Sequence, residues 1–186
     1  FYTVDLYGIY RYIKLYQPVK EDGKMSEQEL RRHRCCFTGH RPERLGMPES
    51  DVIFGLKEEI RTAIADGFQT FISGMARGVD LWAAEVVLAL RDEGAAVRLI
   101  CASPYRGFES HCCREWQERY RRVMKQADLV RFICPGYSED CFQRRNQWMV
   151  DHSARVIAVY NGQPSGTRNT IEYARRCEVP VVLLPR

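Results

Sequence analysis

Five short runs in this chain gather the residue types that hold anions and polar ligands. They are Thr38-Gly39-His40-Arg41-Pro42, Ser73-Gly74-Met75-Ala76-Arg77-Gly78-Val79-Asp80, Ser103-Pro104-Tyr105-Arg106-Gly107, Tyr160-Asn161-Gly162 and Ser165-Gly166-Thr167-Arg168-Asn169-Thr170. In the second run, Gly74 and Gly78 let the backbone take positive φ and come close to a ligand. A helix beginning there aims unpaired N–H groups and its positive dipole end at whatever lies above. Arg77 adds a donor fork suited to phosphate or carboxylate. A tight strand-to-helix turn, with Asp80 as a helix-start residue, would use the same glycines. A second glycine-bearing helix entrance, Gly166-Thr167 followed by Thr170, and Arg41 beside the two entrances shift the balance to anion binding. Neither entrance is a P-loop, and G-x-G-x-x-G is also absent, so triphosphate hydrolysis and ordinary dehydrogenase chemistry lose support.

Each of these runs follows, or lies close after, an apolar segment rich in β-branched residues. Strands are expected at Cys35–Thr38, Gln69–Ser73, Ala96–Cys101, Leu129–Cys134, Val156–Tyr160 and Pro180–Leu184. Helices are expected between them. Asp51–Asp66 places Phe54, Leu56, Ile60 and Ile64 on an apolar stripe, and Asp80–Glu93 does the same with Trp82, Ala83, Val86, Val87 and Leu90. Further helices are expected at Glu109–Gln126, Asp140–His152 and Asn169–Cys177. Near-continuous apolar strands separated by helices imply a sheet covered on both faces. The fold class is therefore α/β, a Rossmann-like doubly wound, mostly parallel sheet with helices on both faces. Such sheets bind ligands beyond the carboxyl ends of their strands, where the five runs fall. Tyr105 after Pro104 would either stack on a base or cover the sheet edge. Asn146 could reach the site from a helix end, whereas Asp151 suits a structural hydrogen bond.

The chain has 186 residues, 45% hydrophobic, with 28 Lys and Arg against 24 Asp and Glu. The net charge of +4 permits an anionic ligand but lacks the dense basic stripe of a nucleic-acid groove. No apolar run reaches the length of a membrane span, and the start of the chain lacks the pattern of a signal peptide, so a reducing cytoplasm is expected. The eight cysteines have no zinc-knuckle spacing and are expected to be buried thiols, and no metal is expected. Residues 1–33 differ from the rest. Phe1, Tyr2, Tyr7, Tyr10, Tyr12 and Tyr16 crowd the start, and Pro18–Lys24 follows as a polar turn. These residues are expected to form an aromatic extension, with the domain proper at 34–186.

Four of these segments together resemble a known family. Thr38–Pro42, Ile72–Glu85, Arg145–Ser153 and Tyr160–Gly162 with the Gly166-Thr167 turn are similar to the YpsA-like branch of the SLOG superfamily, over about residues 35–185. These are Rossmann-like domains related to DprA and to the Lonely Guy enzymes. The resemblance implies a pocket for a nucleotide-derived small molecule, NAD-like or ADP-ribose-like, in a sensor or regulatory protein. It implies a homo-oligomer too, as does the aromatic start. The ligand-binding set is then Gly39, His40, Arg41, Ser73, Gly74, Met75, Ala76, Arg77, Gly78, Asp80, Pro104, Tyr105, Asn146, Asn161, Gly162, Gly166, Thr167 and Thr170. Arg41, Gly74, Arg77, Gly78, Gly166 and Thr167 would hold phosphate. The Lonely Guy motif carries a glutamate where this chain has Thr170, which cannot act as a carboxylate base. A nucleoside-phosphate N-glycosidase using Glu85 or Asp80 is one alternative, and DprA-like binding of single-stranded DNA is another.

Overall fold

The computed structural model describes residues 25–185, so the aromatic run at Phe1–Tyr16 and the turn at Pro18–Lys24 lie outside the described residues. Six strands form one sheet: β1 (Arg34–Gly39), β2 (Thr70–Ser73), β3 (Arg98–Ser103), β4 (Leu129–Phe132), β5 (Arg155–Val159) and β6 (Val181–Leu184). Their spatial order is β4-β3-β2-β1-β5-β6, and every pairing is parallel. From β1 the chain steps outward through β2 and β3 to β4. It then returns to pair β5 with the other side of β1, in the register Cys36↔Val156 and Gly39↔Val159. The winding therefore reverses between β1 and β5, and the crevice of a doubly wound sheet opens there.

Six helices connect and flank the strands: α1 (Glu27–Arg32), α2 (Glu49–Ala65), α3 (Val79–Asp92), α4 (Arg114–Gln126), α5 (Cys141–Asp151) and α6 (Gly166–Arg176). Alternate residues of each strand point to opposite faces, and this divides the core in two. Phe37, Phe71 and Leu99 pack under Leu56 and Ile60 of α2, Trp82 and Val87 of α3, and Tyr120 and Val123 of α4. On the other face, Cys36, Ile72 and Ala158 meet Met149 and Val150 of α5 and Ile171 and Ala174 of α6. Helices α2 and α3 stop at Gly67 and Gly94, whose φ values of 93° and 100° suit the left-handed turn that ends a helix. Arg119 of α4 ties its neighbours together, reaching Glu85 of α3 at 2.5 Å and Glu49 of α2 at 3.2 Å. Helix α1 has a capping box between Ser26 and Glu29, and Arg31 donates to the Ser153 carbonyl at 3.1 Å.

The structure corrects several sequence expectations. The helix expected over Glu109–Gln126 is broken, because Cys112 and Cys113 have extended backbone (ψ 160° and 163°) between a 3-10 turn at Phe108–His111 and α4. Helix α6 starts three residues earlier than expected, at Gly166, because Ser165 accepts from the Arg168 N–H and caps it. Phe54 is 69% exposed, since the buried stripe of α2 runs through Val52, Leu56, Ile60 and Ala63. Cys113 and Cys177 are exposed and Cys112 is half-buried, so the expectation of buried thiols fails for three of the eight cysteines.

A close approach between layers occurs at Gly39, where a Cβ would lie 2.5 Å from the side-chain carbons of Val79. A methyl group there cannot be placed without parting β1 from α3. Gly39→Ala is expected to lower the unfolding free energy by about 2–3 kcal/mol, measured by urea denaturation. Adding Val79→Ala should recover part of that loss.

Candidate functional site

The chain leaves β2 at Ser73 and enters α3 through an unusual turn. Ser73, fully buried, donates from Oγ to the Asp80 carbonyl at 2.7 Å and accepts from the Met75 N–H at 3.1 Å. Met75 is held at φ 62°, a left-handed conformation that non-glycine residues seldom adopt. Gly78, at φ 93° and ψ −128°, is the residue from which α3 springs, and only glycine takes that backbone readily. A Cβ on Gly78 would also press on Pro42 Cδ at 2.8 Å and the His40 carbonyl at 3.0 Å. The loops after β1 and β2 are thus packed backbone to backbone.

Beneath this turn lies a buried ion pair. Asp80 accepts from the Ala76 N–H at 3.3 Å and from Arg145 at 3.4 Å. Arg145, 5% exposed, reaches across from α5 and also donates to the Gly74 carbonyl. Gly74 is glycine for this reason. A Cβ there would lie 2.6 Å from the Asp80 carboxylate and 2.8 Å from the Arg145 guanidinium carbon. Burial pushes the Asp80 carboxyl up, and Arg145 and the Ala76 N–H pull it back. Arg145 Nε is buried without a hydrogen-bond partner.

The N–H groups of Arg77, Gly78, Val79 and Asp80 have no acceptor among the described residues. Those of Gly78, Val79 and Asp80 are free donors at the start of a 14-residue helix at the sheet's carboxyl edge, and that of Arg77 precedes them. The cations differ in availability. Arg77 is paired with Glu43 at 2.6 Å, whereas Arg41 is exposed and has no partner among the described residues. Both act on Cys112: burial pushes its thiol up, and Arg77 and Arg41 oppose the shift. The loop after β3 therefore shares this neighbourhood.

At the switch point itself, His40 is 2% exposed and stacks on Tyr160 with ring centroids 5.4 Å apart. Its Nε2 is buried without a partner. Burial, and then the nearby Arg44, hold its pKa below the ordinary 6.5 against the opposing effect of Asn161, so the ring is neutral at pH 7. Asn161 donates to the Arg44 carbonyl and bridges the loops after β1 and β5. Gly162 follows in an exposed turn at φ 86°.

Other expected residues stand apart from this centre. Pro104 and Tyr105 are buried, and Tyr105 lies in an aromatic cluster with Phe108, Tyr137 and Phe142. Tyr105 therefore covers the sheet edge. Gly166, Thr167 and Thr170 open α6 on the opposite face, and no hydrogen bond or ion pair joins them to Ser73–Asp80 among the described residues. Thr170 donates its hydroxyl to the Gly166 carbonyl at 2.9 Å. Asn146 is half-buried on α5, next to Arg145. Asp151 accepts from the Tyr173 hydroxyl at 2.9 Å, the structural bond its position suggested. Glu85 lies six residues into α3, about 9 Å along its axis, where Arg119 and Arg122 engage it. Arg145 was missed as a site residue. The signal was Asp80 itself, a carboxylate between Val79 and Leu81 on an apolar helix, which requires a buried cation.

The sheet order, the switch point between β1 and β5 and the loop at the head of α3 define a Rossmann-like doubly wound domain. The chain belongs to the YspA SLOG family, whose model matches residues 35–177. It is 30% identical over 138 residues to the SPbeta prophage-derived protein YoqJ of Bacillus subtilis strain 168, covering 68% of this chain and 80% of that protein. It is 28% identical over 150 residues to a UPF0398 protein of Bacillus cereus strain G9842, covering 76% and 82%. Among solved structures, DNA processing protein A from Helicobacter pylori, described with its single-stranded DNA binding mode, has the same fold. That match has a TM-score of 0.59 at 19% identity and covers 88% of this chain and 70% of that one. The structure of TM1055 matches with a TM-score of 0.54 at 17% identity, over 82% and 74%.

The ion pair under Gly74 is testable by its pH dependence. Arg145→Met leaves Asp80 buried without its cation and should cost about 3–5 kcal/mol of stability near pH 7. Loss of the guanidinium raises the folded-state Asp80 pKa further. Its destabilising effect is therefore smallest below the unfolded aspartate range, near 3.8, and grows as pH rises through the folded value. Chemical denaturation at pH 4 and pH 7 should show a smaller deficit at pH 4, and Asp80→Asn in the same background should flatten the difference.

Proposed function

We propose that this protein binds a nucleotide or nucleotide-derived ligand, NAD-like or ADP-ribose-like, at the carboxyl edge of its sheet and acts as a sensor or regulatory protein. One observation carries the reading. Four successive N–H groups, Arg77 to Asp80, face no acceptor among the described residues, at the start of a 14-residue helix on the sheet's carboxyl edge. Arg41 supplies an unpaired guanidinium beside them, and His40 Nε2 offers a buried polar atom without a partner. The phosphate of the ligand would take the helix donors, with Arg41 as the charged clamp. Family membership supports a nucleotide-type ligand, and DNA processing protein A, which shares the fold, is described as binding single-stranded DNA.

A sensor fits the site better than a glycosidase because the carboxylates proposed for hydrolysis are engaged. Asp80 is locked to Arg145 and the Ala76 N–H, and Glu85 is held by two arginines away from the edge. A general acid must reach its leaving group, and neither does so in this arrangement.

Thermal shift and titration calorimetry with ADP-ribose, NAD and AMP test the proposal. At a hundred times its dissociation constant a ligand adds about 2.7 kcal/mol, so a melting shift of several degrees is expected for at least one of them. Arg41→Ala should weaken that ligand about tenfold or more and leave the melting temperature of the free protein unchanged. No shift at millimolar concentration with any of the three would overturn the proposal.

A further inference from the structure

Resting on the phosphate site just described, we infer that Tyr137 and Phe142 form the stacking subsite for the base of a free nucleotide. Tyr105 cannot supply this surface, because it is buried within the cluster that supports it. The exposed rings are Tyr137 at 66% and Phe142 at 36%. Tyr105 meets Tyr137 at 5.9 Å and Phe142 at 6.4 Å, both edge to face, and Phe108 braces Phe142 at 5.8 Å. The two outer rings meet each other at 64°, so each keeps a face that the other does not cover. Paired exposed aromatics fixed by buried ones form a rigid apolar surface, and such patches mark ligand contacts.

Their position ties them to the phosphate loop. Tyr137 lies just after β4, and Phe142 is in the first turn of α5, so both stand at the sheet's carboxyl edge. Arg145, three residues beyond Phe142, is the group that holds Gly74. That spacing is about 4.5 Å along the helix, so Phe142 lies one turn from the residue whose side chain crosses to the phosphate loop. Every base has a π-face, so stacking here tolerates different bases. Charge favours a free nucleotide over a strand. Glu139 and Asp140, two and three residues after Tyr137, would repel a phosphodiester backbone running past it.

Titration calorimetry with AMP, CMP and ribose 5-phosphate separates the base from the phosphate. Wild type should bind AMP and CMP about tenfold tighter than ribose 5-phosphate. Tyr137→Ala with Phe142→Ala should bring both nucleotides down to the sugar phosphate and leave the sugar phosphate unchanged, whereas Tyr137→Phe with Phe142→Tyr should keep the advantage. Tyr137→Ala alone, at a solvent-facing position, gives a partial loss in a protein of unaltered melting temperature. Equal affinity for the three ligands in wild type, or a base advantage surviving the double alanine variant, overturns the inference and leaves the phosphate site standing. So does binding of a single-stranded 12-mer without binding of AMP or CMP. If none of the probes binds, the phosphate reading falls as well.

Discussion

The guanidinium of Arg145 is the point on which the carboxyl edge of this sheet depends. It leaves one helix, passes under a glycine and ends between a carboxylate and a carbonyl of another layer. Removing a charge from water is costly, and the pair is tolerable only because Asp80 and Gly74 accept from it at close range. The geometry in turn explains several residues at once. Gly74 has no Cβ because the guanidinium occupies that space, and Asp80 turns back to hold the Ala76 N–H. Met75 is kept in a left-handed conformation by a hydrogen bond to Ser73 on one side and this clamp on the other. Backbone strain of this kind persists only where its surroundings over-determine it. Here it holds a row of N–H groups open at the start of a helix.

A second level of organisation comes from glycines that let layers touch. Gly39 admits Val79, and Gly78 admits Pro42 and the His40 carbonyl. The loops after β1 and β2 are therefore a single packed body rather than two independent connections. The loop after β5 joins it through the Asn161 bond to Arg44 and the stack of Tyr160 on His40. Surface ion pairs add little individually. The contact of Arg119 with Glu49 and Glu85 has a different role, setting α4 against the helices beside it.

Much of the fold was legible because apolar runs and helical periodicity report burial directly. The strands near Cys35–Thr38 and Val156–Tyr160, and the helix carrying Trp82, Val86 and Leu90, were visible to within a residue or two. The break at Cys112 and Cys113 was not, because two cysteines have no strong preference against a helix and the charge pattern on either side was helical. Phe54 misled for a related reason: spacing finds an apolar stripe but does not say which of two neighbouring stripes meets the sheet. The site was legible where glycine marks a close approach, at Gly39, Gly74 and Gly78. It was not legible where a long side chain crosses from another layer, as Arg145 does, since a lone arginine on a polar helix looks the same whether it reaches inward or into water. The α6 entrance and the α3 entrance begin at the same edge on opposite faces, and no hydrogen bond or ion pair joins them among the described residues.

The place of β1 in the sheet bears on how the protein opens. It is hydrogen-bonded on both sides and runs straight into the loop that Gly78 abuts. Loops on edge strands can fray alone, but this one is continuous with an inner strand of the sheet. Local opening at the head of α3 therefore draws on the same cooperative unit as global unfolding. An occupant of this edge would be felt as slower amide exchange through the middle of the sheet, and the protein would register it as a change in the persistence of the whole fold.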